Sequence, residues 1–246
     1  VSTGALATRR YGASMYRGMF QEFSELYHRQ EVVGALLTHA GAGSESETDC
    51  ALAALSALAS APPDPSGGLR PFAAFIRGLL DYMQGFTHNQ VRQVFRILCA
   101  MACPGASREG DEGGVGGRSS SAGDLDDVHI FIRKHVAMSQ MAMKRIGIIG
   151  AVAFVEFQGK FGDTAGGGGG GAGSGSMFSQ DSASGSTVEA AALAFGGGGG
   201  GDTLSMLLSH CRSSQEGKAF LYDELALSAG TGALGGGALD ALVDML

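Results

Sequence analysis

Apolar residues recur at three- and four-residue intervals along most of this chain, and no stretch alternates strictly between apolar and polar positions. That period is the helical one. From Met15 through Phe20, Phe23, Leu26 and Tyr27 to Val33, Leu36 and Leu37 it predicts a helix ended by Gly41-Ala42-Gly43. Ser46-Glu47-Thr48-Asp49 offers N-cap candidates for a second, alanine- and leucine-rich helix over 49–58, stopped by Pro62-Pro63-Asp64-Pro65. Phe72, Phe75, Ile76, Leu79, Leu80 and Met83 mark a third, closed at Gly85. Thr87-His88-Asn89-Gln90 has the form of a capping box, in which residues three apart satisfy each other's exposed amides. It opens a fourth helix carrying Val91, Val94, Phe95, Leu98 and Met101, ended by Pro104. Residues 105–123 read as a polar loop. Two helices are expected over 124–157, with a break near 137–141. After a glycine-rich stretch at 159–201, Asp202 is placed to cap a helix over 204–211. A segment at 215–227 and a short helix from Ala238 complete the chain.

The stretch from Lys144 to Val152 separates two kinds of protein. As a strand ending in a glycine turn it would start a nucleotide-binding unit. That fingerprint needs three glycines spaced G-x-G-x-x-G and an acidic residue about 20 positions on. Here Gly147 and Gly150 supply only G-x-x-G, Ala151-Val152-Ala153-Phe154 continues apolar, and no second strand follows. On a helix the two glycines share a face and let a neighbouring helix approach closely, at a propensity cost of about 1 kcal/mol each. The helical reading stands. The expected fold is therefore all-α, a degenerate HEAT-like α-solenoid of antiparallel helix pairs. It comprises a segment at 1–158, a disordered Gly/Ser-rich insertion at 159–201 and a continuation at 202–246.

Composition narrows this further. Glycine makes up 42 of 246 residues, concentrated in the runs 166–171 and 196–201, which cannot bury enough apolar surface to offset their backbone entropy. The chain starts at Val1 and its last helical pattern reaches Leu246, so a fragment of a longer protein is expected. Net charge is −7, no global argument for nucleic-acid binding. Yet 70–145 holds ten of the 17 basic residues against seven acidic ones. No run of 18 apolar residues and no signal peptide is visible, which points to a soluble intracellular protein. Cys50, Cys99, Cys103 and Cys211 lack metal-ligand spacing and read as small packing residues in a reducing compartment.

Chemistry is sparse. The six histidines have no metal spacing, no G-x-S-x-G elbow appears, and Asp124, Asp126 and Asp127 suit a helix N-terminus. No catalytic residue, metal site or cofactor is expected. The candidates for contact with DNA or a partner are basic: Arg92 and Arg96 one turn apart, Arg133 and Lys134 in one helix, and Lys144 and Arg145 in the next. On stacked helices these could line one surface and meet phosphates, or they could be solvated helix faces. Arg29 is harder to place.

Several segments, in order, resemble the Fanconi anaemia group D2 family. They are Gln30-Glu31-Val32-Val33-Gly34-Ala35-Leu36-Leu37-Thr38-His39, Gly78-Leu79-Leu80-Asp81-Tyr82, Asp126-Asp127-Val128-His129 with Ile132-Arg133-Lys134, Ile146-Gly147-Ile148-Ile149-Gly150-Ala151-Val152, and Leu221-Tyr222-Asp223-Glu224. The likeness covers about 20–158 and 203–228. It does not extend to the loop at 105–123, the polyglycine insertion or the first 15 residues. It implies a large nuclear α-solenoid that pairs with the Fanconi anaemia group I protein and closes around double-stranded DNA. Monoubiquitination then locks the clamp for interstrand crosslink repair, with ubiquitin and repair nucleases as further partners. The modified lysine belongs to an upstream part of such proteins and matches none of Lys134, Lys144, Lys160 and Lys218. The expected function is a non-enzymatic scaffold segment of that clamp. The alternative is a HEAT-like protein–protein adaptor without nucleic-acid contact.

Overall fold

The computed structural model describes residues 3–61, 68–102, 120–165 and 200–234, and every regular element among them is helical. Helix α1 spans Thr3–Glu22, α2 Leu26–Ala40, α3 Glu45–Ala59, α4 Ala73–Arg77, α5 His88–Ala102, α6 Ser120–Ala137, α7 Met141–Ala165, α8 Gly200–Cys211 and α9 Gln215–Gly230. Short 3-10 segments, Arg70–Phe72 and Gly78–Gly85, flank α4. The chain divides into two compact units, Val1–Phe154 and Val155–Leu246.

In the first unit each helix packs on its near neighbours in sequence: α1 on α2 and α3, α2 on α3, α3 on α5, and α5 on α6. This is the solenoid-like, all-α arrangement that the helical period predicts. Leu52 and Leu55 of α3 and Val91, Val94 and Phe95 of α5 are fully buried. The turn between α2 and α3 uses Gly43 at φ 77°, a left-handed conformation that side chains disfavour.

The first 40 residues differ from the single helix expected from Met15. Helix α1 starts at Thr3, and the chain breaks at 23–25, where Glu25 is extended (φ −87°, ψ 134°). Arg29 explains the break. Its side chain is buried to 5 % exposure, its Nε donates to the Phe23 carbonyl at 2.6 Å, and its guanidinium lies 5.1 Å from the Phe20 ring centre. A side chain thus takes the place of the next helical amide at the end of α1.

Two N-cap assignments also shift. Helix α3 begins at Glu45 behind an N-cap Ser44, four residues before the expected start. Thr48 instead donates its hydroxyl to the Ala40 carbonyl at 3.0 Å, tying α3 to the end of α2. Helix α8 begins at Gly200, ahead of Asp202. Helix α6 begins at Ser120, within the stretch read as loop, and α7 runs to Ala165, past the expected end of the helical segment. The break at 138–140 and the α5 capping box fall where the pattern put them.

The glycines of α7 work as packing residues. A Cβ at Gly147 would lie 2.5 Å from the Val136 backbone nitrogen, and one at Gly150 would lie 2.5 Å from the Phe95 ring. The end of α6 and a ring of α5 therefore approach α7 more closely than alanine would permit. By contrast, Gly34 in the middle of α2 has open space where its Cβ would be.

In the second unit α8 packs on α9. Ser214 caps α9, its hydroxyl accepting from the Gly217 amide at 3.1 Å. The Ser228 hydroxyl donates to a buried carboxylate oxygen of Glu156 at 2.5 Å, joining α9 to the end of α7 that lies within this unit. Most of the glycine-rich stretch, Cys103 and the helix expected from Ala238 lie outside the described residues. Cys50, Cys99 and Cys211 are thiols, the last two buried.

Candidate nucleic-acid interface

The six basic candidates lie on α5, α6 and the first part of α7, all within the first unit. Their backbone positions are fixed by one aromatic junction. The Phe95 ring of α5 sits 6.2 Å from the Phe131 ring of α6, and Phe131 stacks on His135 at 3.8 Å. Gly150 of α7 presses on the same Phe95 ring, and Gly147 on the His135–Val136 backbone. Arg92 and Arg96 flank Phe95 within a turn on either side. Arg133 and Lys134 follow Phe131 within a turn, while Lys144 and Arg145 precede Gly147.

The side chains do not share one environment. Arg96, Arg133 and Lys134 are exposed. Arg92 is half-buried and donates from Nη1 to the Asn89 side-chain oxygen at 2.6 Å, within its own helix. Arg145 is also half-buried. Lys144 departs from the surface expected for it: it is only 9 % exposed. The cause is the approach permitted by Gly147 and Gly150, which draws the first part of α7 inward, where every residue from Ile146 to Phe154 is buried. The exposed positive charge lies on α5 and α6. Lys134 and His135 also occupy the last turn of α6, where the helix dipole favours cations. One of the acidic trio, Asp127, is exposed and accepts from Arg77 Nη1 at 2.5 Å, joining α4 to α6. That engages it as an ion-pair partner.

A polar constellation that sequence reading missed spans α1, α2 and α3. His39 Nδ1 lies 2.6 Å from Glu47 Oε1, and its Nε2 lies 3.0 Å from the Tyr16 hydroxyl. Nearby, Arg9 donates to the Ser46 hydroxyl at 2.9 Å and sits 3.8 Å from the Asp49 carboxylate. Asp49 in turn accepts from the Gln90 side-chain amide at 2.8 Å. The Tyr–His–Glu order resembles a proton relay. Each member, however, holds one helix to the next, and the His39 and Glu47 side chains are over two-fifths exposed to water. Its sequence trace is weak, because Tyr16, His39 and Glu47 share no motif spacing. Among the described residues no group of three or more His, Cys, Asp or Glu is placed to hold a metal ion.

Comparison with known proteins gives consistent matches. The family model described as "Fanconi anaemia protein FancD2 nuclease" matches residues 5–234. The Mus musculus protein named "Fanconi anemia group D2 protein homolog" is 37% identical over 145 residues, which is 58% of this chain and 9% of that protein. The Rattus norvegicus homologue matches to the same extent. The Gallus gallus "Fanconi anemia group D2 protein" is 34% identical over 145 residues, 59% of this chain and 9% of its own length. The matched region is thus a small part of each relative.

Proposed function

The chain belongs to the Fanconi anaemia FancD2 family, and from that premise we propose that it is a non-enzymatic scaffold segment of a nuclear protein acting in interstrand crosslink repair. In this reading the whole protein pairs with the Fanconi anaemia group I protein and is monoubiquitinated at a lysine outside this segment. It encloses double-stranded DNA, and the segment contributes rigid helices and a basic surface.

The observation that carries this reading is the exposure of Arg96, Arg133 and Lys134 on two packed helices beside a single aromatic contact. Cations held on a rigid surface neutralise phosphates without ordering a loop first. Each phosphate contact steepens the dependence of log affinity on log salt by about 0.9. The family description contains the word nuclease. We take this segment as scaffold and propose no cleavage by it.

The test is duplex-DNA binding by the full-length protein, followed by fluorescence anisotropy across a salt series. Arg133→Glu with Lys134→Glu should weaken binding and make the salt slope shallower by about 2, at unchanged thermal stability. Unaltered affinity and slope would remove α6 from the interface and favour the adaptor without nucleic-acid contact. Lys144→Gln should change the slope little, because its side chain is buried.

A further inference from the structure

Each residue from Glu45 to Asp49, at the start of α3, bonds to another helix. The Glu45 carbonyl accepts from Gln90 of α5 at 3.3 Å, Glu47 meets His39 of α2 at 2.6 Å, and Thr48 donates to Ala40 at the end of α2. Asp49 accepts from Gln90 as well. Ser46 is exposed to solvent, and its hydroxyl oxygen accepts from Arg9 Nη2 of α1 at 2.9 Å.

This junction leaves donors unused. Arg9 Nε is enclosed by protein and has no hydrogen-bond partner among the described residues. The Arg9–Asp49 pair stands 3.8 Å apart, longer than a hydrogen bond. Nε and Nη2 lie on one edge of the planar guanidinium, so the idle donor points to the same side as the bond to Ser46. A neutral hydroxyl engages one donor of that edge, whereas a phosphate on the same oxygen engages both. Carboxylates surround the serine in sequence, Glu45 before it and Glu47 and Asp49 after it, which complements a kinase with a basic substrate cleft.

We propose that Ser46 is a phosphorylation site whose phosphate clamps α1 onto α3. The Ser46 oxygen bonds to the γ-phosphorus of ATP, the bond from that phosphorus to the bridging oxygen breaks, and ADP departs. The serine proton passes to a base of the kinase. The phosphate then accepts from Arg9 Nη2 and Nε together, two charge-assisted bonds in place of one neutral bond. It also lies in the first turn of α3, where the helix dipole favours an anion. The nearby carboxylates oppose it weakly: Glu47 is held by His39, Asp49 by Gln90, and Glu45 is exposed to screening water. The clamp is independent of the DNA contact proposed above.

The test uses the full-length protein with phosphoserine installed at position 46 by codon reassignment, without nucleic acid. Amide hydrogen exchange across Thr3–Glu22 should slow about tenfold relative to the serine form. Arg9→Gln should abolish the slowing, and Arg9→Lys, which lacks the two-donor edge, should retain only part of it. Equal exchange in the phosphoserine and serine forms would overturn the proposal, and so would faster exchange, the result of carboxylate repulsion. Slowing that survives Arg9→Gln would overturn it too, leaving the helix dipole as its cause. In a separate arm, an acidic-directed kinase and ATP should place phosphate on Ser46 of the full-length protein, read by mass spectrometry. A serine left unmodified there would equally overturn the assignment.

Discussion

Two glycines with the same helical conformation have opposite meanings here. At Gly147 the missing Cβ is what permits the α6 backbone to approach, and at Gly34 it leaves open space. Gly147→Ala should therefore destabilise the first unit by about 1–3 kcal/mol through overpacking against backbone that cannot move aside. Gly34→Ala should stabilise it by up to about 1 kcal/mol through helix propensity alone. Paired thermal melts of the two variants check this, and equal shifts would refute the assignment of packing to one and openness to the other. The close-packing role of Gly147 and Gly150 was legible in the sequence, because three-residue spacing within an unbroken apolar run puts both on one helix face. The role of Arg29 was not. A guanidinium that caps a preceding helix over an aromatic ring has no local signature, and its partner Phe23 looks like one more residue of a continuous helical pattern.

At the level of helices, starts were readable where a side chain bonds its own first turn and unreadable where the partner lies elsewhere. The α5 box shows both cases. Thr87 and Gln90 satisfy each other locally, with the Thr87 amide donating to Gln90 Oε1 at 2.9 Å. The same Gln90 also donates from Nε2 to Asp49 of α3 at 2.8 Å, a bond no local pattern announces. Gln90→Ala should therefore cost more than the roughly 1 kcal/mol of an ordinary cap, reaching about 2 kcal/mol, because Asp49 also loses its amide donor. A urea titration measures this. Gln90→Glu, which keeps the reach but sets a carboxylate against Asp49, should not restore stability. The break between α1 and α2 offers a parallel case: Arg29→Lys should lower stability by about 1–2 kcal/mol, since an ammonium lacks the planar fork that serves both the Phe23 carbonyl and the Phe20 ring. A melting temperature unchanged by Arg29→Lys would mean that the break has another cause.

Across the described residues, the all-α character was legible because helical periodicity recurs in nearly every segment and no strand period competes with it. The candidate interface was legible only as a list of charges. Sequence spacing grouped six basic residues, whereas packing sets Lys144 apart by drawing α7 inward. Whether a cation on a helix faces water depends on how near the next helix comes, and here two glycines decide it. Ionic strength is the whole-molecule test that follows. For the full-length protein, reversing charge at Arg96 in addition to Arg133 and Lys134 should make the salt dependence shallower than the double reversal does. An identical slope would remove Arg96 from any DNA contact.

The reach of Gln90 into α3 also bears on the order in which the molecule assembles. The side-chain amide of Gln90 finds its acceptor only when Asp49, 41 residues earlier, is already in position. Refolding should then proceed outward from the α3 region, with the mouth of α5 closing onto an existing surface instead of nucleating alone. If so, Gln90→Ala should leave the refolding rate of the chain nearly untouched and accelerate its unfolding, the kinetic mark of a contact made after the rate-limiting step. A mainly slowed refolding limb would place that contact in the nucleus itself.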